Sequence, residues 1–342
     1  MNDNKRNPDS LRLSVLDQSP ISEGSSSADA LRNTIDLAKL TDELGYGRYW
    51  VAEHHGTPML AGPSPEALIG PIASATSRIR VGSGGIMLPH YSPLKVAENF
   101  SVLGALFPGR IDLGIGRAAG TDPLTTFALQ RDRRQASPDD FPEQLSELLG
   151  YLEGRLPEDH PFARLATLFG SGAGPQLWLL GSSPQSAIWA AELGLPYVFA
   201  DFINADGAEI AALYRDRFVA SEQSPAPRVV VASRAICADT SREAERLASS
   251  ARMAMALLRR GQLIAVPTVE TAQSFLAENA AVLGSPGAHR RVIVGDPSSV
   301  RAGLDAVATE YGADEVMVVT ITHSHAARRR SYELIAGAFA LS

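Results

Sequence analysis

Eight short β-rich runs alternate with longer runs of helical periodicity across 342 residues, and the irregular segments cluster after strand ends. That pattern predicts an α/β chain folded as a TIM-like (β/α)8 barrel, with insertion segments at the C-terminal face of the strands. Composition agrees: 45% hydrophobic and 20% charged residues are ordinary for a soluble globular chain and exclude disordered, collagen-like and coiled-coil classes.

The predicted strands are Leu11 to Asp17, Tyr49 to Glu53, Ile79 to Leu88, Ile111 to Gly116, Gln176 to Gly181, Tyr197 to Phe202, Val229 to Ala235 and Glu315 to Ile321. Helices are expected over Ala28 to Leu44, Leu94 to Leu106, Ser186 to Leu193, Glu209 to Val219, Glu243 to Arg259, Ser298 to Tyr311 and Ala327 to Ala340. Residues 1–10 read as a flexible polar tail without the apolar core of a secretion signal, and 11–342 as a single barrel domain. Insertions are expected at about 118–175, containing a short helix Phe141 to Leu152 and able to cover the site as a lid, and at about 262–291.

In such a barrel the chemistry sits where strands end. The second strand ends in Trp50-Val51-Ala52-Glu53-His54-His55-Gly56, so an imidazole able to exchange protons near neutrality lies at a catalytic address. On extended backbone Glu53 and His55 share one face and His54 takes the other. A hydrogen-bonded core pair and a metal grip are the alternatives for the two histidines. The third strand carries Gly82, Gly84 and Gly85 where β-branched residues are expected, which suits a flat ligand, a bulge or a strained peptide. After the fourth comes Arg117, suited to a phosphate or carboxylate. After the fifth, Ser182, Ser183 and Ser186 flank a helix start, either as an ordinary N-cap or as an anion site. Together these features suit a phosphorylated planar cofactor.

Other features point away from alternative functions. The net charge of −7 argues against nucleic acid as a partner. Glycines and prolines break the longest uncharged stretch, Leu165 to Ala191, so no membrane span is expected. The single cysteine, Cys237, rules out an internal disulfide and fits a cytoplasmic location. His323-Ser324-His325 reads as a solvated loop, not a metal grip, and Arg328-Arg329-Arg330 as a solvated helix face.

Several motifs in this order carry a family resemblance: Leu13-Ser14-Val15-Leu16-Asp17 with Pro20 and Glu23-Gly24, Arg48 through His55, Val81 through Pro89, Pro108 through Arg117, Trp178 through Ser183, and Val294-Gly295-Asp296. The chain resembles the bacterial-luciferase-like flavin-dependent monooxygenase family, in its single-chain, alkanal-monooxygenase-like branch. The resemblance implies that reduced FMN, supplied by a separate flavin reductase, reacts with O2 through a C4a-hydroperoxyflavin to oxygenate a small organic substrate such as an aldehyde. It implies His54 as the catalytic residue and a cofactor site of Glu53, Gly84, Gly85, Arg117, Arg131, Ser182, Ser183 and Ser186, without a metal. Gly84-Gly85 matches the position of a non-prolyl cis peptide in the family. A homodimer is implied as well. Cys237 is not at the position of luciferase's reactive cysteine, so light emission is not expected.

The alternatives are hydride transfer with the deazaflavin F420, a non-catalytic flavin-binding protein, and a metal-dependent barrel hydrolase. The last would need further inward carboxylates or histidines. No G-x-G-x-x-G fingerprint follows a strand, so no nicotinamide domain is expected within the chain.

Overall fold

The computed structural model describes residues 11–341 apart from 118–121, 131–132, 135–139, 167–173, 205 and 281–291. In chain order the elements are β1 (Arg12–Asp17), α1 (Ser27–Glu43), β2 (Arg48–Val51), α2 (Pro65–Ala75), β3 (Arg80–Met87), α3 (Pro93–Leu106), β4 (Ile111–Gly116), α4 (Pro123–Leu129), α5 (Phe141–Leu152), α6 (Ala163–Ala166), β5 (Gln176–Gly181), α7 (Pro184–Glu192), β6 (Tyr197–Ala200), α8 (Ala208–Arg217), β7 (Val229–Cys237), α9 (Ser241–Leu258), α10 (Val269–Glu278), β8 (Val292–Gly295), α11 (Pro297–Tyr311), β9 (Glu315–Val319) and α12 (His325–Phe339).

All strand pairings are parallel. β1 through β7 pair in sequence, β9 bridges β7 to β1, and the result is a closed eight-stranded barrel with helices between strands. The eight strands expected from sequence are these eight. A ninth, β8, pairs with the C-terminal half of β7, where Arg234 to Cys237 face Val292 to Gly295, while β9 pairs along Val230 to Arg234. The nine-residue length of β7 gives both neighbours room.

Sequence periodicity also missed α2, which carries Pro65 at its start and Pro71 inside, and α10, which lies within the expected second insertion. Local caps explain where several helices begin. Ser26 and Asp29 form a capping box on α1, and Thr240, Thr268, Asp296 and Ser324 cap α9, α10, α11 and α12.

Two apolar layers follow from strand alternation. Outward side chains such as Leu13, Val15, Tyr49, Val81 and Leu113 pack under the helices, whereas Leu16, Trp50, Trp178, Val230 and Met317 fill the barrel. α5 belongs to the outer layer, with Phe141, Leu145, Leu148 and Tyr151 at most 2% exposed, so part of the expected lid is built into the core.

The N-terminal end of the barrel is closed by charge. Arg48 donates to Asp112 at 2.6 Å and lies 3.2 Å from Glu315, Arg80 binds Asp112 from the other side, and Trp50 Nε1 donates to the same carboxylate at 2.9 Å. Trp178 lies between the guanidinium groups of Arg48 and Arg228, at 4.5 and 4.9 Å. Arg48, Arg80, Asp112 and Glu315 are paired as they leave water, the condition for burying ions without a large penalty.

Arg328 corrects the sequence reading of its arginine run as a solvated face. It is 2% exposed and bonded to buried Asp17 at 2.6 Å, joining α12 to β1. Burial pushes the Asp17 carboxyl up, but Arg328 and bonds from Tyr49 and Ser19 outweigh it and leave the pKa lowered. Only Arg329 and Arg330 face solvent, paired with Asp36 and Asp239.

Candidate active site

Inward residues along the strands change size from one end of the barrel to the other. The middle is filled by Trp50 and Trp178, whereas the C-terminal end presents Ala52, Gly84, Gly116, Gly181, Ala200 and Ala232. Large side chains below and small ones above leave a cavity of about 500 Å³ open at the C-terminal face. Leu16, Met87, Phe141, Trp189, Phe202 and Met317 complete walls that are largely apolar.

The glycines in β3 stand where neighbouring strands leave no room for a side chain. A Cβ on Gly85 would lie 2.7 Å from the Gly114 carbonyl oxygen, and one on Gly84 would meet Leu16 and the Trp50 side chain. The Gly84–Gly85 peptide is cis, and the β3–β4 register shifts between Gly84 and Ile86. Both glycines line the cavity.

Glu53, His54 and His55 follow β2 as the alternation argument predicts. Glu53 is fully buried; one oxygen is 2.7 Å from His55 Nε2 and the other accepts the Met87 N–H at 2.9 Å. It therefore ties the β2 turn to the end of β3. Burial raises its pKa despite these bonds. His55 also packs edge-on against His90, with ring centroids 6.0 Å apart.

His54 takes the other face and lines the cavity. Burial, then the charges of His55 and Arg234, lower its pKa to about 4, so the ring is neutral at physiological pH. Its Nδ1 is buried and has no hydrogen-bond partner among the described residues. An unpartnered buried polar atom on a residue that lines a cavity is a group that a ligand can satisfy.

Arg117 follows β4 at the cavity rim, its guanidinium 5.6 Å from the Trp189 ring centroid. Ser183 caps α7 by accepting the Ser186 N–H, so the N-cap reading of that serine holds. The Ser186 hydroxyl donates to the Ser183 carbonyl at 2.8 Å and pairs with the Tyr197 hydroxyl at 2.9 Å, bracing the turn from beneath. The Ser182 carbonyl accepts from the Asn204 side chain. All three serines line the cavity. Arg131 lies outside the described residues.

The wall residues went unread in the sequence, the aromatic ones Phe141, Trp189 and Phe202 among them. Trp189 is three residues beyond Ser186 and so shares its helix face, the one available signal. Phe202, just past β6, carries the Arg234 guanidinium of β7 over its ring at 5.4 Å, a contact between separate segments that spacing does not show.

The remaining sequence candidates lie elsewhere. Cys237 is buried in β7, its thiol pushed up to about 12 chiefly by burial, and does not line the cavity. His323 Nε2 is 3.2 Å from the Glu23 carbonyl oxygen and His325 Nε2 is 2.8 Å from Asp36. Among the described residues no group of three or more His, Cys, Asp or Glu side chains could hold a metal, and no helix is long and apolar enough to cross a membrane.

Residues 11–315 match the family described as luciferase-like monooxygenase. A protein of Escherichia coli K12 named luciferase-like monooxygenase is 40% identical over 326 residues, covering 95% of this chain and 96% of its own. The N-acetyl-S-alkylcysteine monooxygenase of Bacillus subtilis is 36% identical, covering 96% of this chain and 98% of its own. The crystal structure of apo-MsnO8 superposes with a TM-score of 0.88 at 41% identity, covering 98% of this chain and 99% of its own. At lower identity the fold recurs in the oxygenating constituent of 3,6-diketocamphane monooxygenase from Pseudomonas putida, solved with FMN. That pair has a TM-score of 0.71 at 20% identity, with 96% and 97% covered. It recurs again in an F420-dependent secondary alcohol dehydrogenase, with a TM-score of 0.65 at 12% identity and coverage of 96% and 99%.

Proposed function

The chain belongs to the luciferase-like monooxygenase family, and from that premise we propose that it is the oxygenating component of a two-component flavin monooxygenase. Reduced FMN arrives from a separate reductase, and a small organic substrate, an aldehyde among the candidates, takes up one oxygen atom. The supporting observation is the juxtaposition, in one largely apolar cavity, of a neutral histidine with an unmet buried nitrogen, a backbone stripped of side chains, and an arginine beside a helix start. These three parts match the needs of a flavin: a proton-handling group, room for a flat ring, and an anchor for a phosphate.

On this reading Gly84 and Gly85 leave space for the ring, and Arg117 with the backbone N–H groups at the start of α7 meets the phosphate. Pro184 removes one donor from that turn, which places more of the anion recognition on Arg117. Ser182 and Ser183 shape the turn and Ser186 braces it. When bound, reduced flavin supplies the two electrons that let O2 place one atom in the substrate and release the other as water. His54 accepts or returns a proton at an imidazole nitrogen, Glu53 positions the turn that carries it, and the apolar walls exclude water from the reacting groups. The chain works as a homodimer in a cytoplasmic setting, and the exposed Val102 and Leu106 of α3 suit such a pairing.

Anaerobic titration with reduced FMN and, separately, with reduced F420, followed by mixing with O2, tests this. Binding of reduced FMN and a transient absorbance distinct from both oxidised and reduced flavin are expected. Tight binding of F420 alone would replace the proposal with hydride transfer, and flavin binding without oxygen reactivity would replace it with a carrier role.

A further inference from the structure

Arg117 projects from the end of β4 at an exposed position, and a long side chain there has many rotamers to lose before it can serve as a fixed anchor. Its guanidinium stands 5.6 Å from the centroid of Trp189, on α7. Trp189 in turn stacks on Phe141, the first residue of α5, with centroids 5.2 Å apart and planes tilted by 36°. Phe141 is 2% exposed and fixed in the core, so the chain of contacts runs from an immobile ring to a cation at the cavity rim. All three residues line the cavity, next to the capped start of α7.

The geometry of a guanidinium gives this stack a consequence. A ring engages the flat face of the group, whereas its N–H donors radiate in the plane. A cation seated over a ring has given up part of its rotamer freedom before an oxyanion arrives, and that pre-setting lowers the ordering cost of binding. We propose that Trp189 is the positioning residue through which this protein selects a phosphorylated flavin over the unphosphorylated form. It does so by holding Arg117 without touching the phosphate itself. The inference rests on the reading above in which Arg117 meets the phosphate.

The test is the ratio of dissociation constants for riboflavin and FMN, measured by flavin fluorescence titration on the full chain. Trp189→Leu should lower that ratio about fivefold, the size of a cation–π contact at a partly exposed site. Trp189→Phe, which keeps an aromatic face, should stay within about twofold of the parent. Should the leucine variant fail to fold, Trp189→Met serves, being bulky and without a π face. A merely structural role would weaken both ligands equally and leave the ratio unchanged, so an unchanged ratio in the leucine or methionine variant overturns the inference. So would a phenylalanine variant no better than leucine. Arg117→Ala separates the two layers: if it lowers the ratio while the Trp189 variants do not, only this inference fails. If Arg117→Ala itself leaves the ratio unchanged, the phosphate reading fails and takes the inference with it.

Discussion

A histidine that is neutral throughout the physiological range can take a proton from a reacting group and give it back without being trapped as a cation. His54 is in that state because burial, with His55 and the Arg234 guanidinium nearby, opposes its charging. Replacing it by alanine is expected to lower turnover by about 10²–10⁴-fold, the usual range for a lost acid–base group, while flavin affinity changes little. Parallel steady-state kinetics and flavin titrations check this, and unchanged turnover with intact binding would remove His54 from the mechanism. The same burial has a stability signature. Between the ordinary pKa of 6.5 and the folded value of about 4 the unfolded chain binds a proton that the folded chain refuses. Stability is therefore lost as pH falls across that window, by up to about 3 kcal/mol from this residue. Denaturation at pH 7 and pH 4.5 should show His54→Ala losing less stability on acidification than the parent chain.

At the scale of elements, β3 shows why a strand with three glycines is stable here. Its neighbours occupy the space where side chains would stand: the Asp112 backbone at Gly82, the Leu16 side chain at Gly84 and the Gly114 carbonyl at Gly85. Gly85→Ala presses a methyl group against a barrel carbonyl that cannot retreat, so a loss of about 1–3 kcal/mol or more is expected by denaturant titration, with flavin binding impaired. The glycine cluster was legible in the sequence as an interruption, but bulge, ligand floor and strained peptide were equally compatible with it. The choice among them depended on what β4 and β1 placed against it. The serines before α7 divided in a similar way. The cap at Ser183 follows from local sequence, whereas the commitment of Ser186 to Tyr197 depends on β6 lying beside β5.

At the scale of the whole molecule, the barrel depends on ion pairs that close it at one end and join its last helix to its first strand. Arg328→Met would leave Asp17 buried without its cation, and a loss of about 3–5 kcal/mol is expected in chemical denaturation. A comparable change at Arg329, which is paired at the surface, should cost under about 1 kcal/mol. These two neighbours mark the boundary between what can and cannot be read from sequence. Alternating apolar runs determined the eight barrel strands, because side-chain period and strand length are local properties. The positions of Glu53, His54, Arg117 and the serines after their strands were local too, since each motif is contiguous. Only the tertiary structure decided which arginine of an identical run is buried, that a ninth strand leans on β7, and that Phe141, Trp189 and Arg117 meet at one rim. Each of these is a contact between segments far apart in the chain. It is set by how helices pack on a closed sheet, and no spacing along one segment encodes it.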